Sequence, residues 1–222
     1  MIMQRQILVW DVPTRLVHWL LALAFIGALV TADSERLRNL HIAAGYGCVA
    51  LLLFRVVWGL IGTRHARFWS FLYGPREIFG YLRSIAAGSP RHYVGHNPVG
   101  GVAVLLLLGL GLATGVSGWA TLNEIGGDAF EDLHEGLAIF MLAVVCVHVV
   151  GVIASSVLHR ENLILGMVTG CKRGPLGEAI GRRYVWLGAA VVLVTVAVWS
   201  TGLVDSLFLL PSASVSRSVE SD

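Results

Sequence analysis

Apolar residues along this chain fall into five long runs that polar connectors separate. Each run is about as long as the roughly 20 residues that a helix needs to cross the hydrocarbon core of a bilayer. The pattern predicts an all-α integral membrane protein, with a four-helix transmembrane bundle and a fifth, C-terminal transmembrane helix. The runs cover residues 16–32, 40–62, 100–121, 131–158 and 184–210.

The amino-acid composition also indicates an integral membrane protein. Of the 222 residues, 56% are hydrophobic and 14% are charged, whereas soluble domains carry about 25% charged residues. The basic start of the first run and the small residues at its end also fit a cleavable signal peptide. Two residues inside the run, His18 and Trp19, are unusual in signal peptides, so we expect a retained first helix.

Basic residues are unevenly distributed among the connectors. Most of the 16 Lys and Arg residues lie in the N-terminal segment, in residues 63–98 and after the fourth run. Loops that are rich in Lys and Arg stay in the cytoplasm. We therefore predict a cytoplasmic N-terminus and, after five crossings, a periplasmic C-terminus. Residues 68–88 are amphipathic, which predicts a helix along the membrane interface.

Two histidines lie in the fourth apolar run. An ionisable side chain inside a membrane costs free energy unless it has a partner, so each of these histidines is a candidate functional residue. His134 and His148 are 14 residues apart. On a helix this spacing puts both side chains on nearly the same face, with about 21 Å between them along the axis. One helix can therefore contribute a ligand to each of two sites at different depths.

Two other histidines, one in each of the first two runs, match these depths. With a cytoplasmic N-terminus, His18 and His148 lie towards the cytoplasm, and His41 and His134 lie towards the periplasm. Two imidazoles at one depth can occupy both axial positions of a haem iron, which favours electron transfer over oxygen chemistry. The chain has no C-x-x-C-H motif, so the pattern predicts two non-covalent haem b groups. Taken singly, each histidine is also compatible with a packed or interfacial residue.

Three arginines near the ends of the apolar runs are candidates for binding the haem propionates. Arg55 lies inside the cytoplasmic end of the second run, and Arg36 and Arg38 lie in the first periplasmic connector. Each of these side chains can instead extend to the lipid headgroups. The remaining four histidines are expected to be solvated, although one near the inner haem can relay protons to a quinone: His65, His92, His96 and His159.

Five segments of the sequence have a familiar combination of motifs: VWDVPTRLVHW at 9–19, LFRVVWGLIGTRHARF at 53–68, HNPVGG at 96–101, LHE at 133–135 and HRENLILGMVTGCKR at 159–173. Together they resemble the bacterial cytochrome b561 family, which includes the cytochrome b subunits of nickel-iron hydrogenases and is related to those of formate dehydrogenases. The resemblance covers residues 8–173. It implies a four-helix, di-haem domain of the bacterial inner membrane whose ligands fall on His18, His41, His134 and His148.

The resemblance also implies a function, which is electron transfer between the quinone pool and a periplasmic redox protein. That partner is a hydrogenase, a dehydrogenase or a c-type cytochrome, for which the acidic connector at residues 124–132 offers a docking surface. The fifth run, 184–210, departs from the family's core pattern and can indicate a different partner. No nucleic-acid partner is expected. The chain can form a homo-oligomer or a hetero-oligomer, and the sequence does not decide between them.

Two alternatives remain. A free-standing quinone-coupled oxidoreductase, such as a superoxide oxidase, would use the same haems. A metal or proton transporter would use the histidines without haem.

Overall fold

The computed structural model describes residues 5–200, and the side chains of residues 5–198. Three short 3-10 turns lie at Glu35–Leu37, Phe68–Ser70 and Leu176–Glu178. The longer elements are two strands, β1 (Arg5–Leu8) and β2 (Cys171–Gly174), and seven helices: α1 (Val12–Thr31), α2 (Arg38–Ile61), α3 (Pro75–Ala86), α4 (Pro98–Leu122), α5 (Asp128–Leu158), α6 (Leu163–Thr169) and α7 (Val185–Ser200).

Helices α1, α2, α4 and α5 are long and apolar enough to cross a membrane, which confirms four of the predicted spans. Their ends follow local capping signals. The Asp11 carboxylate accepts a hydrogen bond from the Thr14 N–H at the start of α1, and the Asn97 side chain accepts one from the Gly100 N–H at the start of α4. These side chains satisfy N–H groups that have no partner within the helix.

The four spanning helices form two antiparallel pairs. Helix α1 packs on α2, α4 packs on α5, and contacts between α2 and α4 join the two pairs. None of the 31 residues of α5 is buried. This helix therefore has a long apolar face that no protein element of the described chain covers.

A small two-stranded sheet closes one end of the bundle, and the sequence patterns did not predict it. β1 and β2 pair antiparallel, with Arg5 opposite Gly174 and Leu8 opposite Cys171. The buried side chains of Ile7, Val9 and Trp10, in β1 and just after it, form one hydrophobic cluster. We call this the capped end of the bundle, and the opposite end, with the α1–α2 and α4–α5 turns, the uncapped end.

The predicted amphipathic helix is found with shorter bounds, and the predicted fifth helix is described only in part. Helix α3 lies within the predicted amphipathic segment and leaves the Phe79 side chain 71% exposed while Tyr81 is buried. Helix α7 packs on α1 and α2. Its 16 described residues are an apolar helix shorter than the four spans, and residues 201–210 of the predicted fifth helix lie outside the described residues.

Candidate haem sites

The uncapped end brings two of the predicted ligands together. The ring centroids of His41 on α2 and His134 on α5 are 6.1 Å apart, and the ring planes are at 84°. Metal–imidazole nitrogen bonds of about 2 Å on either side of one iron would place two ring centroids about 6 Å apart. The spacing of the two rings therefore fits one metal ion held between them.

Backbone carbonyls hold both rings by their Nδ1 atoms. His41 Nδ1 lies 2.8 Å from the Ala28 carbonyl oxygen, and His134 Nδ1 lies 2.9 Å from the Thr114 carbonyl oxygen. A carbonyl can only accept, so each Nδ1 carries the proton and each Nε2 is left with a lone pair. This is the usual arrangement of a metal-binding histidine, whose second nitrogen donates to a carbonyl or carboxylate.

A glycine on α4 makes room for the His134 ring. A Cβ at Gly118 would lie 2.7 Å from His134 Cε1 and 2.9 Å from His134 Nδ1, closer than any side chain tolerates. On α2, Gly45 lies one turn after His41, and a Cβ there would meet nothing within 4 Å. The site thus has a tightly packed ligand on one side and open space beside the other ligand.

The capped end holds the second predicted pair, His18 on α1 and His148 on α5. His148 acts electrostatically on His18, which indicates that the two imidazoles lie in the same region of the bundle. His18 also contacts the Trp19 ring edge to face, at 5.1 Å between centroids. Its Nδ1 is buried and has no hydrogen-bond partner, so this pair lacks the carbonyl contacts that orient the rings at the uncapped end.

The three arginines proposed for the propionates have different surroundings. Arg55 on α2 is 7% exposed, its Nη1 is buried without a partner, and its guanidinium carbon lies 5.2 Å from the centroid of the Phe68 ring. A buried guanidinium nitrogen without an acceptor costs free energy unless an anion is bound there. Arg36 is exposed in the turn between α1 and α2, and Arg38 is exposed at the first residue of α2. No contact among the described residues links them to the His41–His134 pair.

For two of the other four histidines, His65 and His96, the structure corrects the expectation of a solvated side chain. His65 is 6% exposed, and its Nε2 lies 2.8 Å from the Glu178 carbonyl oxygen. His96 packs between the rings of Trp10 and Phe71, with centroids at 4.7 and 4.5 Å, and its Nδ1 is buried without a partner. Both residues belong to polar loops, and only the contacts between distant segments enclose them.

Electrostatics around His96 keep its ring neutral. Burial, followed by the positive charge of Arg55, lowers the pKa of His96 to about 3. Lys172, His148 and His65 are also within electrostatic range and act in the same direction. Two cations, Arg55 and Lys172, therefore act on the neutral His96 ring.

Lys172 on β2 anchors the loop that carries His96. Its side chain is buried and Nζ donates to the Val94 carbonyl oxygen at 2.8 Å, with the carbonyl oxygens of Tyr93 and Gly95 at 3.3 and 3.5 Å. Nζ also lies 3.9 Å from a carboxylate oxygen of Glu161. Burial lowers the Lys172 pKa, which the Glu161 charge partly counteracts. The sequence contained no signal for this anchor other than a lysine in a basic segment.

The residues present therefore fit b-type haem at two depths of one bundle. A comparison with family models is consistent with this arrangement, because the model described as prokaryotic cytochrome b561 matches residues 9–170. The chain belongs to the prokaryotic cytochrome b561 family. Both histidine pairs lie within the matched residues, whereas α7 lies outside them. This membership confirms the predicted family and makes the chain a transmembrane b-type cytochrome of electron transport.

Curated relatives of this cytochrome b561 protein have a common name, probable Ni/Fe-hydrogenase B-type cytochrome subunit. The protein from Azotobacter vinelandii is 29% identical over 75% of this chain and 88% of the relative. The protein from Rhizobium leguminosarum bv. viciae is 26% identical over 75% and 89%, respectively. The one from Cupriavidus necator is 24% identical over 73% and 85%. No solved structure matches the chain.

Proposed function

We propose that this cytochrome binds two haem b groups and transfers electrons across the membrane between a quinone and a redox partner. The observation that carries the proposal is the His41–His134 geometry, in which two rings with carbonyl-bound Nδ1 atoms lie 6.1 Å apart. The haem-binding unit is residues 8–173. The proposed additional transmembrane helix is 184–210, of which Val185–Ser200 is helical and residues 201–210 lie outside the described part.

The four histidines act as axial ligands in two pairs, His41 with His134 and His18 with His148. Haem with two imidazole ligands supplies reversible one-electron transfer without an open coordination site. Arg55 binds a propionate near the His18–His148 pair, since it offers a buried and unpaired guanidinium nitrogen. For Arg36 and Arg38 we propose a weaker, solvent-exposed contribution near the other haem.

A quinone is the proposed electron carrier at the capped end. A cavity of about 460 Å³ lies there between α1 and α6, next to the His18 site. It is lined by Arg15, Trp19 and four apolar side chains, and Trp19 contacts the His18 ring. An apolar cavity with a few polar groups is typical of small-molecule sites, and this one is adjacent to a haem ligand.

The proposed partner at the uncapped end is a periplasmic redox protein. The curated relatives are named as hydrogenase subunits, which favours a hydrogenase over a c-type cytochrome. The distribution of basic residues favours a cytoplasmic N-terminus and hence a cytoplasmic capped end in the bacterial inner membrane. The exposed acidic residues of the segment 124–132 would then face the periplasmic partner.

The purified full chain in detergent provides the direct test. Dithionite reduction should produce a b-type difference spectrum, and pyridine haemochrome should give two haems per chain. Under anaerobic conditions, a quinone added to the reduced protein after removal of dithionite should reoxidise both haems, or a quinol added to the oxidised protein should reduce them, according to the direction of electron flow. A colourless protein would contradict the proposal as a whole, and a ratio of one would contradict the second haem. Haems that dithionite reduces but that exchange electrons with neither a quinone nor a quinol would contradict the quinone assignment alone.

A further inference from the structure

Two buried nitrogens near the His18–His148 pair have no hydrogen-bond partner in the structure. They are Nη1 of Arg55 on α2 and Nδ1 of His96, two residues before α4. Both side chains lie against one aromatic cluster. The Arg55 guanidinium carbon is 5.2 Å from the Phe68 ring centroid, Phe68 packs on Phe71 at 5.9 Å, and Phe71 packs on His96 at 4.5 Å. His148 also acts electrostatically on His96. Buried N–H groups without acceptors are rare because each costs about 1–3 kcal/mol. An unpaired guanidinium nitrogen and an unpaired imidazole nitrogen that both lie against this aromatic cluster indicate an acceptor that the described protein groups do not provide.

The buried carboxylate in this region is already in use. Asp11 is 0% exposed, and its carboxylate accepts hydrogen bonds from the Thr14 N–H, the Trp58 Nε1–H and the Thr63 hydroxyl. Asp11 influences Arg55 electrostatically but does not form an ion pair with it. Its three donors come from the α1 start and from α2 and the following loop. Asp11 therefore holds the helices together and leaves Arg55 without an acceptor.

The position of His96 is defined by contacts on both sides of its ring. Trp10 and Phe71 enclose the ring, and the Lys172 anchor fixes the preceding residues 93–95. A neutral imidazole has one N–H, which sits on either nitrogen. In this environment of positive charge, a proton on Nδ1 would donate to an anion next to Arg55.

We propose that His96 and Arg55 together form a carboxylate-binding pair for one propionate of the haem at the His18–His148 site. This inference rests on the proposed function, because the propionate belongs to the haem that His18 and His148 would ligate. His96 is here a positioning residue, and it does not bind the iron. The pair also links the loop before α4 to α2 through the bound carboxylate.

The test uses the full-length haem-loaded protein and two substitutions at one position. His96→Leu removes the N–H, and His96→Asn retains an amide nitrogen near the position of Nδ1. A propionate that loses a donor is more negative and stabilises the ferric iron. We therefore expect His96→Leu to lower the midpoint potential of the haem at the His18–His148 site and to shift its resonance Raman propionate bending band. His96→Asn should preserve most of both values, and the other haem should not change.

A neighbouring histidine provides the matched control. His92 lies in the same loop, with its side chain 34% exposed and 3.5 Å from a Glu161 carboxylate oxygen. His92→Leu should therefore leave both potentials as in the wild type. If His96→Leu does not accumulate, His96→Gln replaces it, since Gln keeps polarity but displaces the N–H from the Nδ1 position. That variant should also lower the potential.

Several outcomes would overturn the inference. Two haems per chain with unchanged potential and propionate band in His96→Leu, or in His96→Gln where it replaces Leu, would exclude a hydrogen bond from His96. Equal effects of Leu and Asn would assign His96 a packing role between Trp10 and Phe71. Either result leaves the proposed function intact. A wild-type protein without haem would instead contradict the proposed function, and the inference with it.

Discussion

The two histidine pairs differ in what orients their rings. At the uncapped end, His41 and His134 each contact a backbone carbonyl of a neighbouring helix through Nδ1. At the capped end, the Nδ1 of His18 is buried without a partner. For that site we propose instead contributions from a buried arginine, Arg55, and from a histidine of a distant loop, His96.

The difference indicates two ways in which one bundle can position a pair of histidines. Where the ligand's second nitrogen donates to a helix carbonyl, the packing of helices alone fixes the ring. Where that contact is missing, charged and polar groups brought in by loops and by the cap define the surroundings. The first site should therefore respond to changes within helices, and the second to changes in the cap.

The largest expected effect comes from replacing the ligands themselves. Alanine at His41 or at His134 should remove the same haem, and alanine at His18 or at His148 should remove the other. In each case pyridine haemochrome should fall from two haems per chain to one, and one component should disappear from the redox titration. Alanine at His92 is the control and should leave two. If His41→Ala and His148→Ala remove the same component, the pairing is wrong.

A second prediction concerns the glycine that makes room for His134. In Gly118→Ala, the added Cβ would lie 2.7 Å from His134 Cε1, so the ring must move away from its carbonyl. We expect the affinity of that site for haem to fall by about tenfold to a hundredfold, as for other losses of ligand orientation. Titration of the apoprotein with haem measures this affinity. Gly109→Ala on the same helix, with nothing within 4 Å, should behave as wild type.

A third prediction tests the cap. Lys172→Met removes the buried ammonium and leaves three loop carbonyls and Glu161 without it, which should cost about 3 kcal/mol. For a chain of this size the thermal transition should fall by about 6–12 °C. Arg173→Met, at an exposed neighbouring position, is the control. An equal effect of both substitutions would show that the Lys172 anchor contributes nothing specific.

The smallest expected effect is a pH dependence from His65. Burial, which dominates over the favourable contacts with Glu178, lowers its pKa below the unfolded value of about 6.5. Between the two pKa values, only the unfolded chain binds the proton. Stability from this residue is therefore complete above about pH 6.5 and decreases as the pH falls towards the folded pKa. Thermal transitions measured from pH 7.5 to 5 should decline less steeply in His65→Gln, and an identical slope would refute this assignment.

Much of the helical scaffold followed from the sequence. The predicted runs 16–32 and 40–62 correspond to α1 and α2 within a few residues. Long apolar runs are reliable because a lipid environment requires backbone hydrogen bonds to be satisfied within each helix. The 14-residue spacing of His134 and His148 likewise predicted two depths, and the 6.1 Å contact between His41 and His134 agrees with the predicted pair at one of them.

Such patterns did not predict the cap or the enclosed loop histidines. β1 and β2 are four residues each and pair across more than 160 residues of chain. No local periodicity distinguishes His96 or His65, which are enclosed by residues from other segments, from the exposed histidines of ordinary loops. Arg55 was predicted as a candidate for a propionate, but that its Nη1 is buried without an acceptor became evident only from the packing.

The sequence by itself determined that the chain forms transmembrane helices, and it placed four histidines at two depths. Both properties depend on spacing along single helices, which local order fixes. Only the tertiary structure decided which nitrogens are held by carbonyls, where Gly118 makes room, and which loop residues join the His18–His148 site. Those properties arise from contacts between segments that are far apart in the chain, and the order of residues within one segment does not specify them.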